Sequence, residues 1–156
     1  MMERELSPYS ADIQSDCAPV IPLLLALKDH ASNIHVLRDP TRGGLAAVLN
    51  EIVRQSSIGM EIEETEVPVP GAVRAICAAA GIDPFNLACE GRLVAAVERK
   101  AAEKILQAWR KTSGGEEAAI IGRVCIEHPG IVAIITETGE KRVLRMPSGE
   151  LLPRIC

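Results

Sequence analysis

The sequence has almost no aromatic residues: one tryptophan, one tyrosine and one phenylalanine account for 2% of its 156 residues. Because 47% of the residues are hydrophobic, the core must be built from small and branched aliphatic side chains. A net charge of −4 with so few aromatic rings argues against a nucleic-acid-binding surface, which is normally basic. The length suits one ordinary domain.

Long apolar runs are also missing, and none approaches the roughly 18 residues that a membrane-spanning helix needs. The apolar stretch over 20–27 is interrupted by Pro22. The first ten residues lack the positive charge and the apolar centre of a secretory signal. The sequence therefore predicts no membrane association and a cytoplasmic location.

The five cysteines lack the paired spacing of a zinc site or a disulfide framework. Three of them, Cys17, Cys77 and Cys125, are predicted to be buried free thiols, because cysteine is among the most buried residue types. The three histidines are scattered as well. No metal site is predicted.

Apolar periodicity predicts an α+β domain in which helices cover one face of a mixed β-sheet. Residues 1–15 are predicted to be a linker, residues 16–145 the domain, and residues 146–156 a flexible tail. Asp16 is the expected N-cap of the first helix. The predicted helices are 18–31, 45–55, 73–80 and 101–111, and the predicted strands are 34–37, 60–63, 93–97, 118–124, 131–136 and 142–144.

The tail ends in a cysteine, Cys156. Prolines and a glycine disfavour regular structure there. The ten residues 147–156 could reach about 30 Å when extended at roughly 3.3 Å per residue. A thiol on such a tether suits a carrier that accepts an acyl-type group from a partner enzyme. An accidental exposed cysteine is the alternative.

A polar turn with two glycines, residues 39–44, separates a predicted strand from a predicted helix. Glycines there free backbone N–H groups near a helix N-terminus, which can hold an anion or a phosphate. Arg38 and Arg42 could add charge-assisted hydrogen bonds. An ordinary strand-to-helix turn is the alternative, because the motif is neither a P-loop nor a dinucleotide fingerprint. The candidate residues on the nucleotide or phosphate side are Asp39, Thr41, Arg42, Gly43 and Gly44.

Glu90 lies just before an apolar strand, between Cys89 and Gly91. Partial burial among these small neighbours would raise its pKa toward the range useful for accepting a proton. A turn carboxylate paired with Arg92 is the alternative.

Several stretches follow the order of one known family over nearly the whole chain. They are Ser15-Asp16-Cys17-Ala18-Pro19, residues 38–46, Asn50-Glu51-Ile52, Glu90-Gly91, residues 119–122, His128-Pro129-Gly130 and residues 148–156. Together they resemble the C-terminal domain of the HypE family of hydrogenase maturation proteins. That family is part of the superfamily of aminoimidazole ribonucleotide synthetase, selenophosphate synthetase and thiamine-phosphate kinase. The Pro-Arg-Ile-Cys ending is the feature that singles out HypE.

The resemblance implies the synthetase C-terminal fold and a role in making the cyanide ligands of the [NiFe]-hydrogenase iron. A carbamoyltransferase, HypF, would load a carbamoyl group onto Cys156, with Pro153, Arg154 and Ile155 serving tail recognition. ATP would then drive dehydration of the S-carboxamide to an S-cyanate, with Glu90 as the base. The cyanide would pass to iron on the HypC–HypD complex.

Two departures from the family stand out. The family usually has asparagine where this chain has Cys89, which changes the hydrogen bonding beside Glu90. The family's N-terminal domain, which carries most of the ATP and Mg²⁺ site and much of the homodimer interface, has no counterpart here. The chain alone is therefore expected to bind no cofactor tightly and not to hydrolyse ATP.

Two other functions stay open on the sequence alone. One is a stand-alone, non-catalytic interaction module that docks on maturation partners through its tail. The other is a superfamily enzyme that acts on a small phosphorylated metabolite. The terminal cysteine argues against the latter, because such enzymes need no terminal thiol.

Overall fold

The computed structural model describes residues 15–146, so residues 1–14 of the predicted linker and the segment 147–156 lie outside the described residues. The helices are α1 (Ile21–Ala26), α2 (Gly44–Arg54), α3 (Gly71–Ala80) and α4 (Ala102–Arg110). The strands are β1 (Ile34–Arg38), β2 (Gly59–Glu63), β3 (Val94–Val97), β4 (Gly122–Cys125), β5 (Val132–Ile135) and β6 (Lys141–Val143). Short 3-10 helices span Lys28–Asn33, Glu64–Glu66 and Pro84–Asn86.

These six strands form two sheets. The larger has the order β4-β2-β5-β6, with β2 and β5 parallel and the other two pairs antiparallel. The smaller is an antiparallel ribbon of β1 and β3. The mixed sheet confirms the predicted α+β class, whereas the separate ribbon was not anticipated.

Helix α2 forms because its apolar residues recur at helical spacing, which gives it one continuous apolar face. That face packs on the inner side of the larger sheet, where the side chains of β2 and β5 that alternate inward are buried. The buried members of this α2 cluster are Leu45, Ala46, Val48, Leu49, Ile52, Val53, Met60, Ile62, Val67, Phe85, Val132, Ile134 and Leu144.

A second, smaller cluster lies between α1, α4 and the ribbon, with Leu27 and Ile105 at its centre and Trp109 packed against it. The indole N–H of Trp109 donates to the carbonyl of Leu23 at 3.1 Å. Ile105 and Trp109 therefore lie on the inner face of α4.

Because β1 contains a β-bulge, side chains of the ribbon pack on both clusters. The register of β1 shifts between Ile34 and Val36. Ile34 and Leu37 consequently pack on the smaller cluster, while Val36 packs on the α2 cluster.

The first helix is shorter than predicted. It begins at Ile21 because Pro22 is tolerated only in the first helical turn, and it ends at Ala26, before the 3-10 helix Lys28–Asn33. The expected cap was wrong: Val20 is at the N-cap, and Asp16 bonds elsewhere. The strand predicted over 118–124 is confined to β4, where the chain pairs with β2.

Of the three cysteines predicted to be buried, Cys77 is buried, in helix α3. The prediction was wrong for Cys17, which is exposed in the segment before α1. Cys125 is partly exposed, because β4 is an edge strand with no neighbour on its outer side within the described sheet.

The outer face of the larger sheet carries one buried acid, Glu61 of β2. Its carboxylate accepts hydrogen bonds from Lys141 of β6 at 2.6 Å and from the Nε of Arg123 of β4 at 2.9 Å. These hydrogen bonds, the one from Lys141 first, lower the pKa of Glu61 from 4.5 to about 2.

Among residues 15–146, no helix is long and apolar enough to cross a bilayer.

Candidate functional site

The predicted anion-binding turn lies at the start of α2. Gly43 is the N-cap, with φ 74°, and no side chain caps the helix. The first backbone N–H groups of a helix have no partner within it and lie at its positive end. Asp39 and Arg42 are exposed beside them, and Thr41 is partly exposed.

Gly44 holds a second chain segment against this turn. Its φ is +63°, and a β-carbon there would overlap the carbonyl oxygens of Phe85 and Leu87. Only glycine accepts both the backbone conformation and this close approach. The 3-10 helix Pro84–Asn86 therefore packs directly on the start of α2.

The segment after this 3-10 helix is tied to the turn by a backbone hydrogen bond. The N–H of Cys89 donates to the carbonyl of Pro40 at 3.0 Å. The Cys89 thiol is 3.5 Å from the carbonyl of Leu87. Burial, and then the nearby charge of Asp16, raises the pKa of this thiol, so it stays protonated at neutral pH.

Glu90 follows directly, and its side chain is exposed. Its backbone N–H donates to the Asp16 carboxylate at 3.1 Å. Within residues 15–146 its own carboxylate forms no ion pair, with Arg92 or any other cation. The predicted partial burial was wrong, because the packing against Asp16 and Ala18 falls on Gly91 instead.

The structure thus brings the turn 39–44 and Glu90 together on one surface, through the Cys89–Pro40 hydrogen bond. The remaining predicted site residues, Pro153, Arg154, Ile155 and Cys156, lie outside the described residues.

Arg38 and Arg42, the two arginines predicted to bind an anion at the turn, differ in their environment. Arg38 donates to the Glu51 carboxylate of α2 at 2.7 Å, which already neutralises its charge. Arg42 is exposed and forms no ion pair within the described part of the chain. Arg42 is therefore the cation of the turn that is available to a ligand.

No group of three or more His, Cys, Asp or Glu side chains in residues 15–146 could hold a metal ion. The exposed carboxylates near the turn, Asp39 and Glu90, do not make a set of protein ligands for Mg²⁺ by themselves. No step of the chemistry is assigned to a metal held by these residues.

Sequence reasoning missed two residues that organise the site. Asp16 accepts a hydrogen bond from the backbone N–H of Glu90, and Asn50, which is buried within α2, donates one to the carbonyl of Leu144. A signal for Asn50 was present: it is polar, yet it lies among the buried apolar positions 45, 48, 49, 52 and 53 of the helix. No local pattern pointed to Asp16 in this role, because its partner is 74 residues away.

Comparison with known proteins gives the family. The model of the AIR synthase related protein C-terminal domain matches residues 4–135. The carbamoyl dehydratase HypE of Azotobacter vinelandii is 44% identical over 153 residues, which is 98% of this chain and 45% of that protein. The chain spans about half the length of the curated relatives it matches, and it corresponds to their C-terminal half.

Solved structures agree. A crystal structure of the hydrogenase maturation protein HypE matches with a TM-score of 0.91 at 42% identity, covering 99% of this chain and 50% of that one. A HypE–HypF complex matches with 0.88 at 40% identity, covering 94% and 47%. HypE in complex with ATP matches with 0.86 at 41% identity, covering 95% and 45%. The chain therefore belongs to the family of the AIR synthase related protein C-terminal domain, and its relatives there include the HypE proteins of hydrogenase maturation.

Proposed function

We propose that the chain acts as the C-terminal half of a HypE-type carbamoyl dehydratase in [NiFe]-hydrogenase maturation, which converts an S-carboxamide on Cys156 into an S-cyanate. One observation carries the proposal. The uncapped start of α2 and the exposed Glu90 are held side by side by the Cys89–Pro40 hydrogen bond. An anion site and a free carboxylate in one place are what an ATP-driven dehydration needs.

The chemistry requires both groups. The carboxamide oxygen is a poor leaving group, and transfer of the γ-phosphoryl group from ATP makes it a good one. The balanced reaction is R–S–C(=O)NH2 + ATP → R–S–C≡N + ADP + phosphate. One nitrogen proton leaves as the phosphoryl group is added and the second leaves as the phosphate departs. Glu90, exposed and unpaired within the described chain, accepts a proton from the nitrogen.

The turn 39–44 is the part of the site that binds the phosphate groups. The first N–H groups of α2 and the Arg42 guanidinium stabilise negative charge. Gly43 and Gly44 both adopt positive φ at this turn, and Asp39 and Thr41 flank them in sequence. The HypE–ATP complex supports ATP as the phosphoryl donor. Mg²⁺ and the rest of the ATP site are assigned to the half of the HypE relatives that this chain does not span.

Cys156 is the carrier, and Pro153, Arg154 and Ile155 are the residues by which the tail is recognised. The HypE–HypF complex supports HypF as the partner that loads the carbamoyl group. The HypC–HypD complex is the proposed acceptor of the cyanide, and the assembled dehydratase is proposed to be a homodimer.

The test is reconstitution of the chain with a separately produced N-terminal half, HypF, carbamoyl phosphate and ATP, followed by mass spectrometry of the C-terminal peptide. The parent should gain a carbamoyl group and then lose one water. Glu90→Gln should still be loaded but should dehydrate at least about 100-fold more slowly, the usual contribution of a general base. Cys156→Ala should acquire no adduct.

Glu117→Gln is the matched control, since Glu117 is also an exposed acid. It should behave like the parent. If Glu90→Gln dehydrates the carbamoylated cysteine as fast as the parent does, Glu90 is not the base. Loading without any S-cyanate in the parent, with HypF binding intact in Glu90→Gln, would instead favour the non-catalytic interaction module.

A further inference from the structure

Arg142 of β6 pairs with two acids from different parts of the chain. Its Nη2 donates to the Glu64 carboxylate at 3.0 Å, and its Nη1 lies 3.1 Å from the Asp83 carboxylate. Glu64 begins the 3-10 helix that follows β2, whereas Asp83 is the cap of the 3-10 helix Pro84–Asn86. A planar guanidinium can hold two carboxylates at once, because its donors lie on separate nitrogens.

The same guanidinium packs on an aromatic ring. Arg142 is paired with Ile134 of β5, and directly opposite residues of neighbouring strands share one face of a sheet, here the face that carries the α2 cluster. Its Cζ is 5.9 Å from the centroid of the Phe85 ring, which is within cation–π range. Phe85 is 3% exposed and belongs to that cluster. Arg142 therefore contacts both Asp83 and Phe85, at the start of the segment 83–90.

Asp83 connects Arg142 to the backbone of this segment. One of its carboxylate oxygens, Oδ2, pairs with Arg142, and the other, Oδ1, accepts a hydrogen bond from the Phe85 N–H at 3.0 Å. The 3-10 helix that this hydrogen bond caps packs on Gly44, at the start of α2. The ion pair with Arg142 thus fixes the end of the 3-10 helix that lies against the turn 39–44.

The far end of the segment carries Glu90. Cys89, the residue before it, donates its N–H to the Pro40 carbonyl at 3.0 Å. The Glu90 carboxylate is exposed and forms no ion pair within the described residues. Its place is therefore set by the backbone that carries it, which Asp16 and Pro40 hold at this end and Arg142 holds at the other.

We propose that Arg142 is a positioning residue for the dehydration: by pairing with Asp83 and packing on Phe85, it fixes the segment 83–90 so that Glu90 lies beside the turn. This role rests on the proposed function. Arg142 touches no reacting atom. It acts through the position of the Glu90 carboxylate, because a general base must lie within hydrogen-bond reach of the proton that it accepts.

Asp83→Asn is the sharpest test, because asparagine caps a helix about as well as aspartate and can keep the bond to the Phe85 N–H. It replaces the oxygen that pairs with Arg142 by an amide nitrogen. In the reconstituted dehydratase, S-cyanate formation should fall about tenfold, less than for Glu90→Gln, since a displaced base still accepts the proton part of the time. Glu66→Gln is the matched control and should behave like the parent, because Glu66 is exposed and forms no ion pair within residues 15–146.

Variants of Arg142 show whether Asp83 acts through it. Arg142→Met removes the charge but keeps an apolar side chain over Phe85, and it should lose as much rate as Asp83→Asn. The double variant should lose no more than either single one, because both changes break the same ion pair. Arg142→Lys should fall between the parent and Arg142→Met, since an ammonium can reach Asp83 but lacks the planar fork that holds both acids. Additive losses in the double variant would overturn the proposal.

Amide exchange reports the position of the segment independently of catalysis. Exchange at Cys89 should accelerate in Asp83→Asn and Arg142→Met, while exchange in the buried strand β5 stays as in the parent. Unchanged exchange at Cys89, or faster exchange there with a parental rate of dehydration, would overturn the proposal and leave the proposed function standing. Equal acceleration at Cys89 and in β5 would make Arg142 merely structural and overturn it too. A parent that forms no S-cyanate would overturn the proposed function itself, and with it the role of Arg142.

Discussion

At the scale of single residues, Glu61 of β2 is an acid that is buried on the outer face of the larger sheet. The alternation of β2 places Glu61 on the face opposite the core, where an acid is expected to be solvated. The structure buries it between Arg123 and Lys141, which are 62 and 80 residues away in sequence. No local pattern reports partners at that distance. The same limit made the predicted burial of Glu90 wrong, since Asp16 and Ala18 decide which neighbour is covered.

The Glu61 ion pairs make stability depend on pH in the acid range. The pKa of Glu61 is about 2 in the folded protein and about 4.5 without its partners. A depressed folded pKa contributes stability that is complete above the unfolded value. We therefore expect the free energy of unfolding to fall as the pH drops from about 4.5 toward 2.

Glu61→Gln tests this directly by urea denaturation at several pH values. Glutamine has nearly the same shape and keeps one carbonyl oxygen that can accept a hydrogen bond from Arg123 or Lys141, so the fold should persist. The variant should be less stable than the parent at pH 6, and the difference should shrink as the pH approaches 2. A constant difference over that range would show that the carboxylate charge does not contribute. Glu117→Gln, which removes an exposed acid, supplies the baseline for general charge effects.

At the scale of elements, periodicity located α2, α3 and α4 well, because each has a one-sided apolar pattern. Glycines and prolines, which are visible in the sequence, set the ends of the helices. Gly81, for example, ends α3 in a left-handed conformation. What could not be inferred was contact between elements. Nothing near Gly44 in the sequence indicates that the carbonyls of Phe85 and Leu87 press against it.

Gly44→Ala should therefore lower the free energy of unfolding by more than backbone strain alone would. Gly81→Ala is the matched comparison, because its φ of +66° is nearly that of Gly44, at +63°, but no atom lies within 4 Å of the added carbon. An alanine in this conformation costs about 1–2 kcal/mol, which is the loss expected for Gly81→Ala. Gly44→Ala should exceed it, because the segment carrying Cys89 and Glu90 must move away.

Thermal denaturation of the two variants measures this difference, and amide exchange at Cys89 shows whether its bond to Pro40 has weakened. Faster exchange should appear in Gly44→Ala only. Equal stability losses with unchanged exchange would mean that the 84–90 segment does not depend on the close approach at Gly44.

At the scale of the whole molecule, the ribbon of β1 and β3 connects two apolar clusters. Its bulge directs Ile34 and Leu37 to one cluster and Val36 to the other. A sequence pattern with a period of two cannot show this, because the bulge reverses the alternation within a single short strand. The sequence accordingly predicted one helix-covered sheet, and the division into a sheet and a ribbon emerged only from the structure.

Because the ribbon is shared, we expect the two clusters to unfold together. Trp109, the one tryptophan of the chain, packs on the smaller cluster and reports on it by fluorescence. Far-UV circular dichroism reports on all helices and strands at once. In urea the two transitions should coincide, as cooperative unfolding of a small domain requires.

Leu27→Ala sharpens this test, since Leu27 is 3% exposed and packs only in the smaller cluster as the structure describes it. Removing the buried side chain should cost about 2–5 kcal/mol. If the ribbon couples the clusters, both transitions shift to lower urea by the same amount. If they are independent, the fluorescence transition shifts alone and separates from the circular dichroism. The α2 cluster, with the candidate site on its helix, would then be a folding unit without α1 and α4.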